Sequence, residues 1–485
     1  MSEIPKGTIR EPRPTPESFV PDAEHLAKDP TLVIQSPLCV EMDALLLDML
    51  SGKHHAQITE SVIGQITIQM SFYRAMEDIV GDFPGKVLIL DPLKHPDYDL
   101  LLSGGIVGEA LKFAFSEGSN LRAGMNAGRV SVLAFKPRED LPTYLRDEIM
   151  AGIVDGSRVL TIPRKTMIGN STYRDSVIER SNAIGGYTDR KVAETDISFQ
   201  GGNYLITREH VLTCVDSLKR IDKDRKFYRL PTGLQYAYEA MSEGFGGNGV
   251  RQVEVLDWDS KATSVREQPV YHLDLMGLPI LGKNNGEAIL VSDLGLSLKL
   301  FQEAGILDKN KKINKKALER HGMIVDHRAD RRRILDDVLV KDHTNARVLL
   351  AESAYETSRS VSIEFLQDTV RKLEYYFSDR NFQVTQSYLN KIARRIGSLG
   401  YRLVPVPALI AFDHQAPLYC PTNGLFVNHE SRGKVLYSGG GVPILDDYFR
   451  KILKDEGIDA PLSVNCGALS FGQAGLRCAG LVLGK

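Results

Sequence analysis

The chain has 485 residues, 42% hydrophobic and 25% charged, enough for one large domain or two or three average ones with a core that needs no staples. A formal net charge of −2 excludes a global field that would draw it to nucleic acid or to an anionic membrane. The five cysteines, Cys39, Cys214, Cys420, Cys466 and Cys478, form no CxxC pair, which argues against a zinc site and a disulfide framework.

The opening stretch MSEIPKGTIREPRPTPE is polar and proline-rich and does not read as a signal peptide. No uninterrupted apolar run approaches the roughly 20 residues of a membrane span, so a cytoplasmic protein with reduced thiols is expected. Residues 1–30 read as a flexible arm. From there to residue 299, apolar strand-like runs alternate with helical patterns. KVLILDPL (86–93) and RVSVLAFKP (129–137) are expected to be buried strands. YLRDEIMAGIVDGSRVLTIP has helix spacing up to Val154, a stop at Gly156 and then a short strand. Val211 to Thr213 reads as a strand, 232–243 as a helix and RQVEVLDW (251–258) as a strand. YHLDLMGLPI (271–280) alternates as a strand would, which puts His272 and Asp274 on one face; EAILVSD (287–293) is another strand.

Residues 300–400 are basic and largely helical and read as an insertion. Within them LEYYFSDRNF (373–382) resembles the core string of the La RNA-binding motif, but only over about ten residues of a much larger module, and no second RNA signature follows. The α/β rhythm resumes over 401–485. This helix-then-strand order predicts an α/β architecture. The chain ends in SVNCGALSFGQAGLRCAGLVLGK, where Cys478 sits between small residues and an apolar run. That pattern delivers a thiol onto the start of a buried strand, although a lone cysteine is more often simply a core residue.

Four short strings gain meaning from their order: NSTYRDS with Arg174 and Asp175, QGGNYL with Gln200 and Asn203, YHLDLMGLPI with His272 and Asp274, and GLRCAGL with Cys478. Alone, each is ordinary: a surface ion pair, a tight turn, a strand pair, a buried thiol. In this order they resemble the guanidine-modifying enzymes of the pentein superfamily, which include arginine, agmatine and peptidyl-arginine deiminases, dimethylargininases and amidinotransferases. The resemblance covers about 168–300 and 401–485. PTNGLFVN, the helix DDYFRKIL and the Gly-x-x-Cys step look like the last module of agmatine deiminases. It implies an α/β propeller of five ββαβ-like modules with a helical insertion, and no metal or organic cofactor. Cys478 takes the nucleophile's place and His272 the acid/base's. Asp175, Asp274, Gln200, Asn203 and Arg174 take the substrate contacts, while Cys466 stands as a non-catalytic cysteine. The chain departs from the pattern at Gln200, where the family carries a glutamate, and at Arg477, where a smaller side chain or histidine is usual. Asp196 and Glu194 are the carboxylates nearest Gln200 in sequence.

The chemistry expected from the resemblance is attack of a thiolate on the guanidinium carbon of an arginine-like small molecule or a peptide arginine. Water then resolves the intermediate, or an amine does so in an amidinotransferase. A non-catalytic protein on the same scaffold and an RNA-binding protein are the readings from other classes. Neither nucleic acid nor membrane is expected as a partner, and homo-oligomerisation stays open.

Overall fold

A computed structural model describes residues 13–14, 19–36, 72–92, 114–135, 145–163, 171–195, 199–221, 231–245, 250–258, 270, 272–323, 369–412, 417–463 and 476–484. Cys39, Asp196 and Cys466 lie outside these residues.

Two short strands come first, Arg13–Pro14 (β1) and Val20–Pro21 (β2). Thr31–Gln35 (β3) pairs in parallel with Val87–Pro92 (β4), and β4 pairs in parallel with Val130–Phe135 (β5). Residues 72–82 form a helix between β3 and β4. Asn120–Asn126 (α1) precedes β5, with the Ser119 hydroxyl capping it by accepting from the Arg122 amide at 3.1 Å. After the short helix Leu145–Glu148 (α2), Met150–Val154 (β6) and Ser157–Pro163 (β7) form an antiparallel hairpin. Ser171–Thr188 (α3) then returns the chain to Lys191–Thr195 (β8), parallel to β7. β1 and β2 flank this sheet on β8 and β6.

The same order recurs. Leu205–Ile206 (β9) runs antiparallel to His210–Thr213 (β10), and the helices Val215–Ile221 (α4) and Pro231–Phe245 (α5) lead to Gln252–Val255 (β11), parallel to β10. Gly277–Leu281 (β12) runs antiparallel to Glu287–Asp293 (β13). Leu294–Glu303 (α6), Lys315–Arg320 (α7), Thr369–Phe377 (α8) and Asp379–Ser398 (α9) follow, then Arg402–Pro407 (β14), parallel to β13. Leu425–His429 (β15), Gly433–Gly439 (β16), Pro443–Asp455 (α10) and Leu462–Ser463 (β17) repeat the pattern. The last strand, Gly480–Leu483 (β18), pairs antiparallel with β3 and supplies the first strand of the sheet that opens the chain. The described residues thus form five sheets, each containing an antiparallel pair followed through a helical connection by a parallel strand. This is the mixed α/β order expected from the rhythm of the sequence.

Three expectations need correction. The helix read up to Val154 ends at Glu148, and from Met150 the chain is the β6–β7 hairpin. Asp155 and Gly156, with φ of +49° and +74°, make the two-residue turn that an Asp-Gly step favours. The stretch 271–280 is a strand only from Gly277. His272 is extended, but Leu273–Leu275 form a 3-10 turn. That turn is tied down because the Leu275 carbonyl accepts from Ser292 Oγ at 2.7 Å and Thr422 Oγ1 at 3.0 Å. The arm expected over 1–30 is built into the fold from Phe19 onward. Phe19 is buried against Phe245, and His25 is buried and bonded to Glu287 at 2.5 Å. The helices described within 300–400 lie in the crossover between β13 and β14. In α9, Leu389, Ile392 and Ile396 are buried at helical spacing in the same core as Phe301 and Phe377 of α6 and α8. Tyr376 and Phe377 of the La-like string are therefore core residues.

Candidate active site

The site is made from one recurring position. In each sheet, the residues just before the first strand of the antiparallel pair form a tight turn. Asp147 precedes β6, Gln200 and Asn203 precede β9, His272 and Asp274 precede β12, Asn423 precedes β15, and Cys478 precedes β18. A turn at a strand end can aim a polar side chain while the strand behind it anchors the backbone in the sheet.

These turns are bonded to one another. The backbone amide of Arg146 donates to the carbonyl of Cys478 at 3.1 Å. Asn423 Oδ1 accepts from the amides of Arg477 and Cys478 at 3.1 and 3.4 Å, and its Nδ2 donates to Cys478 Sγ at 3.1 Å. Asp147 accepts from Gln200 Nε2 at 3.1 Å and from the Gly202 amide at 3.3 Å. Asn203 Oδ1 accepts from the Leu273 amide at 3.3 Å, which ties the β9 turn to the β12 turn. Gly202 leaves room for the imidazole, because a Cβ there would lie 2.5 Å from His272 Nδ1 and the ring would have to shift.

Donor atoms of His272, Asp274 and Cys478 all lie within 4.8 Å of one another. Cys478 Sγ is 3.6 Å from Asp274 Oδ2, and His272 Nδ1 is 3.9 Å from Asp274 Oδ1. The three residues are 3%, 0% and 5% exposed in the order His272, Asp274, Cys478. Imidazole, carboxylate and thiol together are also a donor set of the kind that can hold a divalent metal.

Burial pushes the Cys478 thiol well above its usual range, and the carboxylates of Asp274 and Asp147 push it further; the Asn423 hydrogen bond and Arg146 oppose them. Burial also raises the Asp274 carboxyl, against the pull of His272, Arg477 and Arg146. The pocket thus gathers the Cys478 thiol and the Asp274 carboxyl, whose charged forms burial penalises until a cation joins them. A planar cation bound there would favour the carboxylate and thiolate forms together.

The structure gathers Cys478, His272, Asp274, Gln200 and Asn203. It places the other two predicted residues elsewhere. Arg174 and Asp175 lie on α3, where Asp175 is exposed and Arg174 is paired with Glu194. The Arg-Asp step that joins the turns is Arg146–Asp147, both buried. Sequence reasoning also missed Asn423. The signals available were the second Arg-Asp string, YLRDEIMAGI, standing directly before an apolar run, and PTNGL doing the same.

No protein family's sequence profile matches the chain, and no curated protein matches it. Solved structures do. The agmatine deiminase of C. jejuni is 12% identical, with 96% of each chain covered and a TM-score of 0.49. A cysteine-to-serine variant of that enzyme with substrate bound is also 12% identical, with 96% of each chain covered and a TM-score of 0.47. A candidate arginine deiminase from Porphyromonas gingivalis is 12% identical, with 95% of this chain and 97% of its own covered and a TM-score of 0.44. The solved structures similar to this chain thus include deiminases of the kind its sequence resembles.

Proposed function

We propose that this chain is a cysteine hydrolase of a guanidino compound, acting as a deiminase. The observation that carries this reading is the buried meeting of Cys478, His272 and Asp274 within 4.8 Å. On this reading the five sheets are the modules of a propeller whose strand-end turns surround the substrate. Asp274 and Asp147 accept the N–H groups of the guanidinium and hold it flat. Its positive charge offsets the burial that keeps Cys478 protonated, so the thiolate forms when the substrate is in place. The thiolate adds to the guanidine carbon, forming an S–C bond. His272 protonates a departing nitrogen and the C–N bond breaks, releasing ammonia. Water, deprotonated by His272, attacks the same carbon. The S–C bond breaks, giving a ureido product and the free thiol. An amidinotransferase would use the same groups, with an amine in place of that water; ammonia release without an added amine separates the two.

The test is Cys478→Ser assayed against arginine, agmatine and methylated arginines. Turnover falls by at least about a thousandfold, as expected when a covalent nucleophile is lost, while circular dichroism is unchanged. Retained turnover in the folded variant overturns the assignment.

A further inference from the structure

The backbone that carries the site has a second side. Arg146 and Asp147 are neighbours, as are Arg477 and Cys478, and Gly424 and Asn423. Asp147, Asn423 and Cys478 belong to the site, whereas Arg146, Gly424 and Arg477 line a cleft that none of those three residues lines. Two charged pairs at the cleft are settled. Arg146 is bonded to Glu24, and Asp22 is bonded to Arg190 at 3.0 Å. Arg477 is not. Arg477 is 4% exposed, its guanidinium makes no hydrogen bond or ion pair among the described residues, and its buried Nε and Nη1 have no hydrogen-bond partner there. A buried guanidinium with hydrogen-bond donors unsatisfied is costly, and a planar anion is what satisfies it. Burial and the neighbouring Arg146 lower its pKa to about 10, against the attraction of Glu24, Asp274 and Cys478, which leaves it charged at neutral pH.

We propose that this cleft binds a small organic carboxylate, with its carboxylate on Arg477. The rest of the lining says what the ligand's body is. Met150, Tyr204, Leu278 and Phe426 offer apolar surface, which suits a short hydrocarbon. Asp22 and Glu24 lie in the same cleft, and their negative charge disfavours a dianion such as phosphate. Cys478 and Asp274 do not line this cleft, so the ligand is an effector and not the substrate. This proposal stands whether or not the catalytic reading does.

The test is isothermal titration of the full chain with hexanoate, hexanamide and inorganic phosphate. Hexanoate saturates one site; hexanamide, of the same shape but neutral, and phosphate do not. Arg477→Gln weakens hexanoate binding at least tenfold. Equal binding of hexanoate and hexanamide, preference for phosphate, no saturable binding of hexanoate, or undiminished binding in a folded Arg477→Gln chain overturns the proposal. The comparison of the three ligands on the wild-type chain needs no variant, so the proposal stays testable if Arg477→Gln does not fold.

Discussion

At the scale of single residues, Asp274 shows the cost of the site. Burial raises its carboxyl above the unfolded value. A group raised in this way contributes stability that is fully present below the unfolded pKa of about 3.9 and is lost as pH rises through the folded value. Asp274→Asn removes that loss. The variant is expected to be more stable than the wild type at pH 7 by about 1 kcal/mol, while losing turnover. The gap should widen as the pH is raised from about 4 to 7 and nearly vanish below the unfolded pKa. Thermal unfolding of both proteins across that range checks it, and an Asn variant less stable at pH 7 contradicts it. The grouping of His272, Asp274 and Cys478 was expected from the order of their strings along the chain, since each string alone is ordinary. Asp147 was not, because an Arg-Asp step occurs twice. Only the fold distinguishes the step in a turn before a strand, Arg146–Asp147, from the one on the exposed surface of α3, Arg174–Asp175.

At the scale of elements, the strand-end turns do the positioning, and they are what periodicity reads worst. The longer strands, among them β4, β5 and β13, were legible because each holds a short, dense apolar stretch such as Val87–Leu90 or Ala288–Val291. The 3-10 turn at Leu273–Leu275 was not, since a three-residue turn leaves the alternation of its flanks intact. The hairpin at Asp155–Gly156 was hidden by an accidental helical spacing that turn chemistry outweighs. The turn at Gly201–Asn203 matters most for function, because it backs His272. Gly202→Ala forces a methyl group against the imidazole and displaces it by a fraction of an ångström to an ångström. A shift of that size lowers kcat by about a hundredfold. Steady-state kinetics with circular dichroism as a fold control measures it; near-normal kcat in a folded variant contradicts the packing described.

At the scale of the whole molecule, distant parts of the chain complete one another. β18 pairs with β3, and Glu24, near the start, pairs with Arg146 beside the site. The Val482 amide also reaches Glu24, at 3.4 Å. Composition suggested a loose arm over 1–30 because polar and proline-rich segments usually stay unordered, whereas long-range contacts hold Phe19, Glu24 and His25 in the fold. Deleting residues 1–30 leaves Arg146 buried without its partner and strips Phe19 from its core. The expected loss is about 3 kcal/mol or more, read by urea denaturation. An unchanged midpoint contradicts the role given to this segment.

The most direct measurement is rapid quenching of the protein during turnover of a guanidine substrate, followed by peptide mass analysis. The account predicts a substrate-derived amidino adduct on the peptide that carries Cys478, appearing before the ureido product and absent from Cys478→Ser. An adduct on another cysteine, or steady turnover with Cys478 never modified, would contradict it.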